Sequence, residues 1–364
     1  MSIDPDVVAL GAIINADAAR LEAIAGAAAA VDDFSRLAAR AESEGVAPVL
    51  YRNLCRAGVE AGAAGMNALR ALAVRHRHAT STRITEFVRI SDALADAGIE
   101  SAALKGIALA GLIYPEPGLR PMRDIDFLVH EPDAARAREV LEGLGYRFET
   151  DHPSRFMRRH HHLPNARRGV SGLTVSVEIH TRANSGDSPG TLTLDRLDAP
   201  LQTVESPFGR YRALGHVDML DQLCRHAPEP GGTVRLVSAM DIIGYSAHFD
   251  TAIDWERLAA HRPYVPNLLG LLGLVTPLPP GLSRFAWRGR PPAEPGRLIP
   301  PSANRSPRAT CRRCLHWSIH PSGGCSRTTA SGRAAAAARS PACATCRESP
   351  PWLTRRAIAS MSRP

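Results

Sequence analysis

The chain has 364 residues, 44% hydrophobic and only 5% aromatic, so it can bury a sizeable core, mainly of Ala, Leu, Val and Ile, in one large domain or two. Acids occupy the N-terminus where a secretory signal needs basic residues, and no uninterrupted apolar run reaches ~18 residues, so the sequence predicts a soluble, cytoplasmic protein and excludes a membrane segment. The formal net charge of +8 comes from residues 281–364, which hold 15 arginines and two acids, so it is no evidence that the rest of the chain binds nucleic acid.

Residues 1–97 are predicted to form an N-terminal helical region. Apolar residues recur at helical spacing from Val7 to about Arg77, and breaks near Asp32 and Gly45 divide this stretch into three or four helices. A further helix is predicted from Thr82 to Ala97, where a glycine follows.

An α/β core is predicted for residues 98–200, beginning with a strand that closes at Lys105 and Gly106. The apolar run before this pair predicts the strand and the glycine predicts a tight turn, which can bring backbone N–H groups and an ammonium to a phosphate. Lys105 is the only lysine of the chain, so we interpret this position as requiring an ammonium rather than a guanidinium. A surface lysine at a strand end is the alternative.

The stretch from Asp124 to Val129 predicts a strand with one acidic and one apolar face. Asp124 and Asp126 are two residues apart and therefore point to the same side, while Ile125 and Phe127 point to the other. Two carboxylates held this close repel one another unless a cation lies between them, and Mg²⁺ is bound by such ligands together with substrate phosphates. The alternative interpretation is a strand end with two solvated acids.

A helix beginning at Glu131 and closing at Gly143 is predicted next, followed by a strand from Tyr146 to Glu149. The run at 158–162, with three consecutive histidines, is predicted to be a solvated polar loop rather than a metal cluster, since alternate residues of a strand face opposite sides. With the arginine pair at 167–168 it can instead form a basic rim near substrate phosphates.

The stretch from Thr174 to His180 alternates and predicts a strand with Glu178 on its polar face. Paired beside the Asp124 strand, it would bring Glu178 to the two aspartates, and three such acids can hold two divalent ions about 4 Å apart. His180 lies on the same face and is interpreted either as a catalytic or as a hydrogen-bonded structural histidine.

A C-terminal helical region is predicted for residues 201–280, with helical spacing from Val217 to about Leu274 and a possible ion pair between Arg235 and Asp241. Residues 281–364 form an Arg-, Pro-, Ser- and Ala-rich tail. Its two CxxC pairs, Cys311/Cys314 and Cys343/Cys346, are compatible with a zinc module, but the absence of helical or strand periodicity favours a frameshifted or disordered segment. A disordered basic arm is the third possibility.

Taken together, these motifs resemble the uncharacterised branch of the nucleotidyltransferase superfamily, whose fold resembles the palm of DNA polymerase β. The resemblance runs from about Gly45 to about Leu274 and is carried by the LKG turn, the RPMR loop, the DIDFLV strand and the VEIH strand. It implies an α+β fold, a small mixed sheet with helices, flanked by the two helical regions.

The resemblance also implies an activity, the transfer of a nucleoside monophosphate from an NTP to an acceptor hydroxyl with release of pyrophosphate. The residues that match the superfamily's two-Mg²⁺ site are Asp124, Asp126 and Glu178. The residues expected to bind the nucleotide phosphates are Lys105, Gly106, Arg120 and Arg123. Two departures are Ile107, where a second small residue is usual, and a longer spacing from the turn to the acidic strand.

Several alternatives remain open at the level of sequence. The acceptor can be a small molecule such as an antibiotic or sugar, a tRNA end, or a protein side chain, so nucleic acid is expected only as a substrate. The chain can also be a degenerate module that binds a nucleotide or a partner without turnover. A third alternative is a zinc-dependent nucleic-acid binder that uses the tail.

Overall fold

The computed structural model describes residues 7–59, 63–149, 161–184, 191–228 and 234–288. Of the predicted tail, residues 289–364 with the cysteine pairs lie outside the described part, as do 158–160 of the basic and histidine run. Its first residues are described, and Pro280–Phe285 form a 3-10 helix.

A mixed seven-stranded sheet forms the centre of the described part, with the strand order β3-β4-β5-β2-β1-β7-β6. β2 is antiparallel to β1 and parallel to β5, β1 is parallel to β7, and the β3/β4, β4/β5 and β6/β7 pairs are antiparallel. The strands are β1 Ser101–Leu104, β2 Asp124–Val129, β3 Arg147–Phe148, β4 Ala166–Val170, β5 Leu173–His180, β6 Gln202–Ser206 and β7 Gly209–Ala213. The predicted α+β class is confirmed.

Three strands, β4, β6 and β7, were not predicted from the sequence. Two of them, β6 and β7, lie beyond residue 200, where the α/β core was predicted to end. β6 and β7 form a hairpin with short, mostly polar sequences, in which only Val204, Tyr211 and Ala213 are buried. β4 contains two arginines and a glycine. Such sequences have no clear alternation, so their strand character comes from pairing with neighbours rather than from their own pattern.

Five helices precede the sheet. They are α1 Val7–Gly11, α2 Ala18–Ala28, α3 Phe34–Ser43, α4 Ala47–Arg56 and α5 Ala63–Asp96. Asp17 and Asp33 cap α2 and α3 by accepting hydrogen bonds from backbone N–H groups. The predicted break at Gly45 is confirmed, because this residue has φ +72° and lies against Val237, where a side chain is strained.

The predicted division between Arg77 and Thr82 is wrong, since α5 runs through it without interruption. The hydroxyls of Thr82 and Thr85 donate to the carbonyls of the residues four positions earlier, and Thr80 donates to the Arg120 carbonyl. Ser and Thr in mid-helix are tolerated when their side chains are satisfied in this way.

The remaining helices are α6 Lys105–Leu112, α7 Ala134–Gly143, α8 His216–His226, α9 Leu236–His248, α10 Trp255–His261 and α11 Tyr264–Leu272. The last four lie within residues 201–280, for which a C-terminal helical region was predicted, and the β6–β7 hairpin lies in the same interval. The predicted Arg235–Asp241 pair is wrong, because Arg235 donates to the Ser43 carbonyl and Asp241 binds Arg120. Among the described residues, none of the helices combines the length and apolar character needed to cross a bilayer.

Packing of the apolar face of β2 fixes the position of its acidic face. Ile125 and Phe127 are almost fully buried, and Phe127 stacks on Phe87 of α5 with ring centroids 5.2 Å apart. Burial of one such side chain contributes roughly 1.5–3 kcal/mol. A one-residue slip of β2 would turn Phe127 away from Phe87 and move the carboxylates into the apolar packing, so packing fixes which face carries the acids.

Candidate functional site

The acids predicted from sequence are brought onto one face of two neighbouring parallel strands. In the register of β2 and β5, Asp126 lies opposite Glu178 and Asp124 lies opposite Ser176. The predicted pairing of these strands is therefore confirmed. Asp126 is buried, while Asp124 and Glu178 remain partly exposed, so the face is open to a ligand at its edge.

His180 is part of the same face. Its Nε2 lies 2.8 Å from Asp126 Oδ1 and 3.3 Å from Glu178 Oε2, and its side chain is fully buried. Asp126, Glu178 and His180 each present a ligand atom, and these atoms lie within 4.8 Å of one another. Asp124 contributes another carboxylate two residues before Asp126.

Lys105 reaches this cluster from the end of β1, and the predicted turn geometry needs correction. Gly106 is not the residue in a left-handed conformation; Lys105 is, with φ +51°, and α6 begins there without a further turn. The Nζ of Lys105 lies 2.7 Å from Asp126 Oδ1. A non-glycine residue held at positive φ costs of order 1 kcal/mol, which the ion pair with Asp126 helps to offset.

The charged groups of the cluster shift one another's pKa values. Burial alone would raise the pKa of Asp126, but Lys105 and His180 outweigh it and hold that pKa well below its ordinary value. Burial likewise opposes the charge on Lys105, yet the carboxylates around it raise its pKa. For Glu178, burial alone would raise the pKa, but the hydrogen bond from His180 and the charges of Lys105 and His180 together outweigh it and lower the pKa.

Asp124 behaves in the opposite way. Burial raises its pKa to about 6, and the Asp126 carboxylate adds to this effect more than Glu178 does. Negative charge is therefore in excess at the Asp124 end of the face, where Lys105 only partly compensates. A divalent cation would relieve this repulsion.

Arg120 and Arg123, both predicted to bind phosphate, lie in different surroundings. The Arg120 guanidinium is buried and binds both oxygens of Asp241 at 2.7 to 3.0 Å, and Tyr114 donates to the same carboxylate at 2.6 Å. Arg120 is therefore already paired with Asp241, although its charge also interacts with that of Asp124; its contact with a nucleotide phosphate stays a prediction. The side chain of Arg123 is exposed next to Asp124.

Gly106 is needed for close packing rather than for a turn. A Cβ at this position would lie 3.3 Å from Met122 Cβ and 3.4 Å from Arg120 Nη1. The start of α6 therefore lies against the loop that leads into β2.

Sequence reasoning missed Asp241, Tyr114 and Arg83. Arg83 of α5 is buried and donates from Nε to the Arg123 carbonyl at 3.2 Å, which fixes the chain immediately before Asp124. The local sequence gives no sign of these roles, since Arg83 lies among other polar and charged residues of α5, such as Thr80 and Glu86, and no motif surrounds Asp241.

The histidine run and the arginine pair are less exposed than predicted. His161 and His162 are half-buried and lie against His180, with ring centroids 5.2 and 5.3 Å away. Arg168 pairs with buried Glu86 and Arg167 with Glu149. These arginines are strand residues with acidic partners rather than a basic rim.

The residues present fit a divalent cation. Three carboxylates share one face and two of them lie directly opposite each other. The pKa of Asp124 is raised by burial first and by repulsion from Asp126 second. Oxygen ligands of this kind are those that Mg²⁺ uses.

Residues 31–263 match the model of a family described as uncharacterised nucleotidyltransferase, and the chain belongs to that family. The superfamily resemblance found in the sequence is thereby confirmed. No curated protein matches the chain.

Solved structures of nucleotidyltransferases are more distantly similar. The solution structure of the antibiotic-resistance factor ANT(2'')-Ia is 15% identical, with a TM-score of 0.35, and the match covers 52% of this chain and 96% of that one. A crystal structure of ANT(2")-Ia in complex with adenylyl-2"-tobramycin is 13% identical, with a TM-score of 0.34, and the match covers 51% of this chain and 98% of that one. The crystal structure of an antigenic nucleotidyltransferase-like protein from Paracoccidioides brasiliensis is 15% identical, with a TM-score of 0.32, and the match covers 54% of this chain and 94% of that one.

Proposed function

We propose that this nucleotidyltransferase is Mg²⁺-dependent and transfers a nucleoside monophosphate from an NTP to a hydroxyl group of its acceptor. The acceptor oxygen forms a bond to the α-phosphorus, the bond from that phosphorus to the bridging oxygen breaks, and pyrophosphate leaves. The observation that supports this most directly is the opposition of Asp126 and Glu178 on adjacent parallel strands, with Asp124 on the same face.

Asp124, Asp126 and Glu178 are the residues that would hold the ions. Mg²⁺ in such a site supplies activation of the hydroxyl and neutralisation of charge on the phosphates. Glu178 is assigned to ion binding rather than to proton abstraction, because its lowered pKa makes it a weaker base. The hydroxyl proton then passes to water.

Lys105 and Arg123 are the cations proposed to meet the triphosphate. The Lys105 ammonium already lies at the acidic face, and the backbone N–H groups at the start of α6 add positive potential beside it. Arg123 is exposed next to Asp124, so it is the arginine we assign to the departing pyrophosphate. Arg120 is left out of this role because both oxygens of Asp241 occupy its guanidinium.

The test is incubation of the purified chain with each α-labelled NTP, Mg²⁺ and total cell extract. Transfer of label to RNA, protein or a small molecule identifies the acceptor class. Asp124→Asn should abolish transfer, and Glu205→Gln, a matched carboxylate-to-amide change at an exposed site, should leave it intact. Tight NTP binding without transfer in the wild type would instead identify a non-catalytic nucleotide-binding module.

A further inference from the structure

We propose that the acceptor is a single strand of nucleic acid and that its backbone lies on an exposed basic surface of the helices α4 and α5. The basic surface is defined by Tyr51 of α4 and by Arg70, Val74 and Arg77 of α5. This inference rests on the proposed function and names its acceptor class, since the strand would end in the hydroxyl that attacks the NTP.

Positive charge is concentrated in the part of α5 that forms the basic surface. Residues 61–85 contain four arginines and two histidines but no acid, although residues 1–280 as a whole hold more acids than bases. Arg70 and Arg77 are seven positions apart, so they lie on the same side of the helix. Both are exposed, and Val74 between them is 55% exposed. This side of α5 is therefore open to a partner.

The arginines of this region keep most of their charge available. Among the described residues, Arg70 makes no hydrogen bond or ion pair. Arg77 pairs with Glu116 at 3.4 Å, but both side chains are more than half exposed, so this pair contributes little and can open. Arg52 and Arg56 of α4 donate to backbone carbonyls at 3.2 and 3.0 Å, which are neutral groups and leave the two charges in place. A phosphate backbone supplies the negative charge that complements this surface.

Tyr51 adds an aromatic side chain among these charges. Burial and Cys55 raise the pKa of its hydroxyl, and the charges of Arg70 and Arg77 oppose this rise, so the phenol lies near both guanidinium groups. Its side chain remains partly exposed. Proteins that hold single strands combine basic groups for the phosphates with aromatic rings on which the bases stack. The basic surface offers both, whereas a polyanion without bases would use the arginines alone.

The basic surface leads to the acidic face through the loop that precedes β2. A Cβ at Gly118 would lie 3.0 Å from Arg77 Cα, so this loop packs directly on α5 at that residue. About 9 Å further along the helix, Arg83 donates to the carbonyl of Arg123, whose side chain is exposed next to Asp124. A strand on the basic surface therefore has this loop to cross before its end meets the acidic face.

Binding of a fluorescent single-stranded RNA oligonucleotide to the full chain, measured by anisotropy at several salt concentrations, tests the basic surface. The double variant Arg70→Gln/Arg77→Gln should bind about tenfold or more weakly, and the slope of log affinity against log salt should fall by about 1.4, since each phosphate contact contributes about 0.7. The matched control Arg210→Gln/Arg212→Gln removes the same charge from exposed positions of β7 and should retain the wild-type affinity and slope. The tail adds 15 arginines to every variant alike, so the comparison between the two double variants is decisive. A DNA strand of the same sequence, titrated in parallel, distinguishes RNA from DNA.

Tyr51→Leu tests whether bases are bound as well as phosphates. Loss of a stacked base should weaken oligonucleotide binding about tenfold without changing the salt slope, and binding of inorganic polyphosphate should stay at the wild-type value. An unchanged oligonucleotide affinity would overturn the assignment of the surface to nucleic acid.

The outcomes separate this inference from the proposed function. Equal oligonucleotide binding by the two double variants overturns the basic surface, because the strand is then held by other groups. In the transfer reaction with α-labelled NTP, Mg²⁺ and total cell extract, label that moves to protein or a small molecule but not to nucleic acid overturns the acceptor class and leaves the proposed function standing. If label moves to no acceptor, the proposed function and the acceptor class both fail, whereas the binding measurement needs no turnover and still decides whether the surface holds nucleic acid.

Discussion

The substitution Asp124→Asn should stabilise the metal-free protein at neutral and alkaline pH even though it abolishes activity. The folded protein raises the pKa of Asp124 to about 6 from an ordinary value of 3.8. The folded state therefore binds this proton more tightly than the unfolded chain does, and the stabilisation is complete below pH 3.8 and lost as the pH rises through about 6. Asparagine cannot ionise and so avoids this loss.

The size of the effect follows from the same shift. The difference between the two pKa values corresponds to at most about 3 kcal/mol, and solvent screening of this partly exposed side chain reduces the expected gain to about 1–2 kcal/mol. In a protein of this size ~1 kcal/mol moves the Tm by roughly 2–4 °C. We therefore expect the Asp124→Asn variant to melt about 2–8 °C above the wild type at pH 8.

Thermal unfolding in EDTA between pH 4 and pH 8 measures this gain. The difference in Tm between variant and wild type should grow through pH 5 and 6 and then level off. Asp32→Asn, the same change at an exposed residue, should leave the Tm unchanged throughout. A gain that does not vary with pH, or a variant less stable than wild type at pH 8, would refute the raised pKa of Asp124, which burial and the neighbouring carboxylates cause.

Three further outcomes are expected. Asp241→Ala removes the partner of Arg120 and should lower the free energy of unfolding by about 3–5 kcal/mol in urea denaturation. The control Glu205→Ala breaks an exposed ion pair and should change the free energy of unfolding by less than about 1 kcal/mol. Equal effects of the two variants would show that the Arg120–Asp241 pair does not stabilise the fold. Lys105→Arg should raise the KM for NTP by about tenfold or more, since a planar guanidinium cannot replace the compact ammonium. An unchanged KM would show that Lys105 does not contact the NTP and serves only as the ion-pair partner of Asp126. Arg83→Met should raise the Mg²⁺ concentration needed for half-maximal activity, because Arg83 holds the carbonyl before Asp124. Arg83→Lys should give a value between those of Arg83→Met and the wild type, and equal values in all three proteins would contradict this role.

The acidic face was predictable because strands have a period of two. Asp124 and Asp126 had to share a side once Ile125 and Phe127 formed the buried one, and the same alternation placed Glu178 on the polar side of its own strand. Only two strands with strong alternation were involved. That the two strands are neighbours was predicted, whereas their parallel direction and the position of Asp126 opposite Glu178 were not, because burial of both apolar faces fixes neither direction nor register.

The environment of Lys105 and Arg120 was not predictable, because each depends on a distant partner. Lys105 adopts positive φ at the end of β1, where Leu104 pairs with Asp126 and leaves the ammonium beside that carboxylate. Arg120 binds Asp241, 121 positions later. The local sequence of each cation is the same whether its charge faces a phosphate or a buried acid.

The loop that precedes Asp124 is held from two sides of the molecule. Thr80 and Arg83 of α5 donate to the carbonyls of Arg120 and Arg123, while Asp241 of α9 binds the Arg120 side chain. Asp124 therefore takes its position from the N-terminal and C-terminal helical regions together, although none of their described residues supplies an acid to the face. Since an error of 1 Å at a reacting group can cost about a hundredfold in rate, the proposed function assigns these helices the task of positioning Asp124.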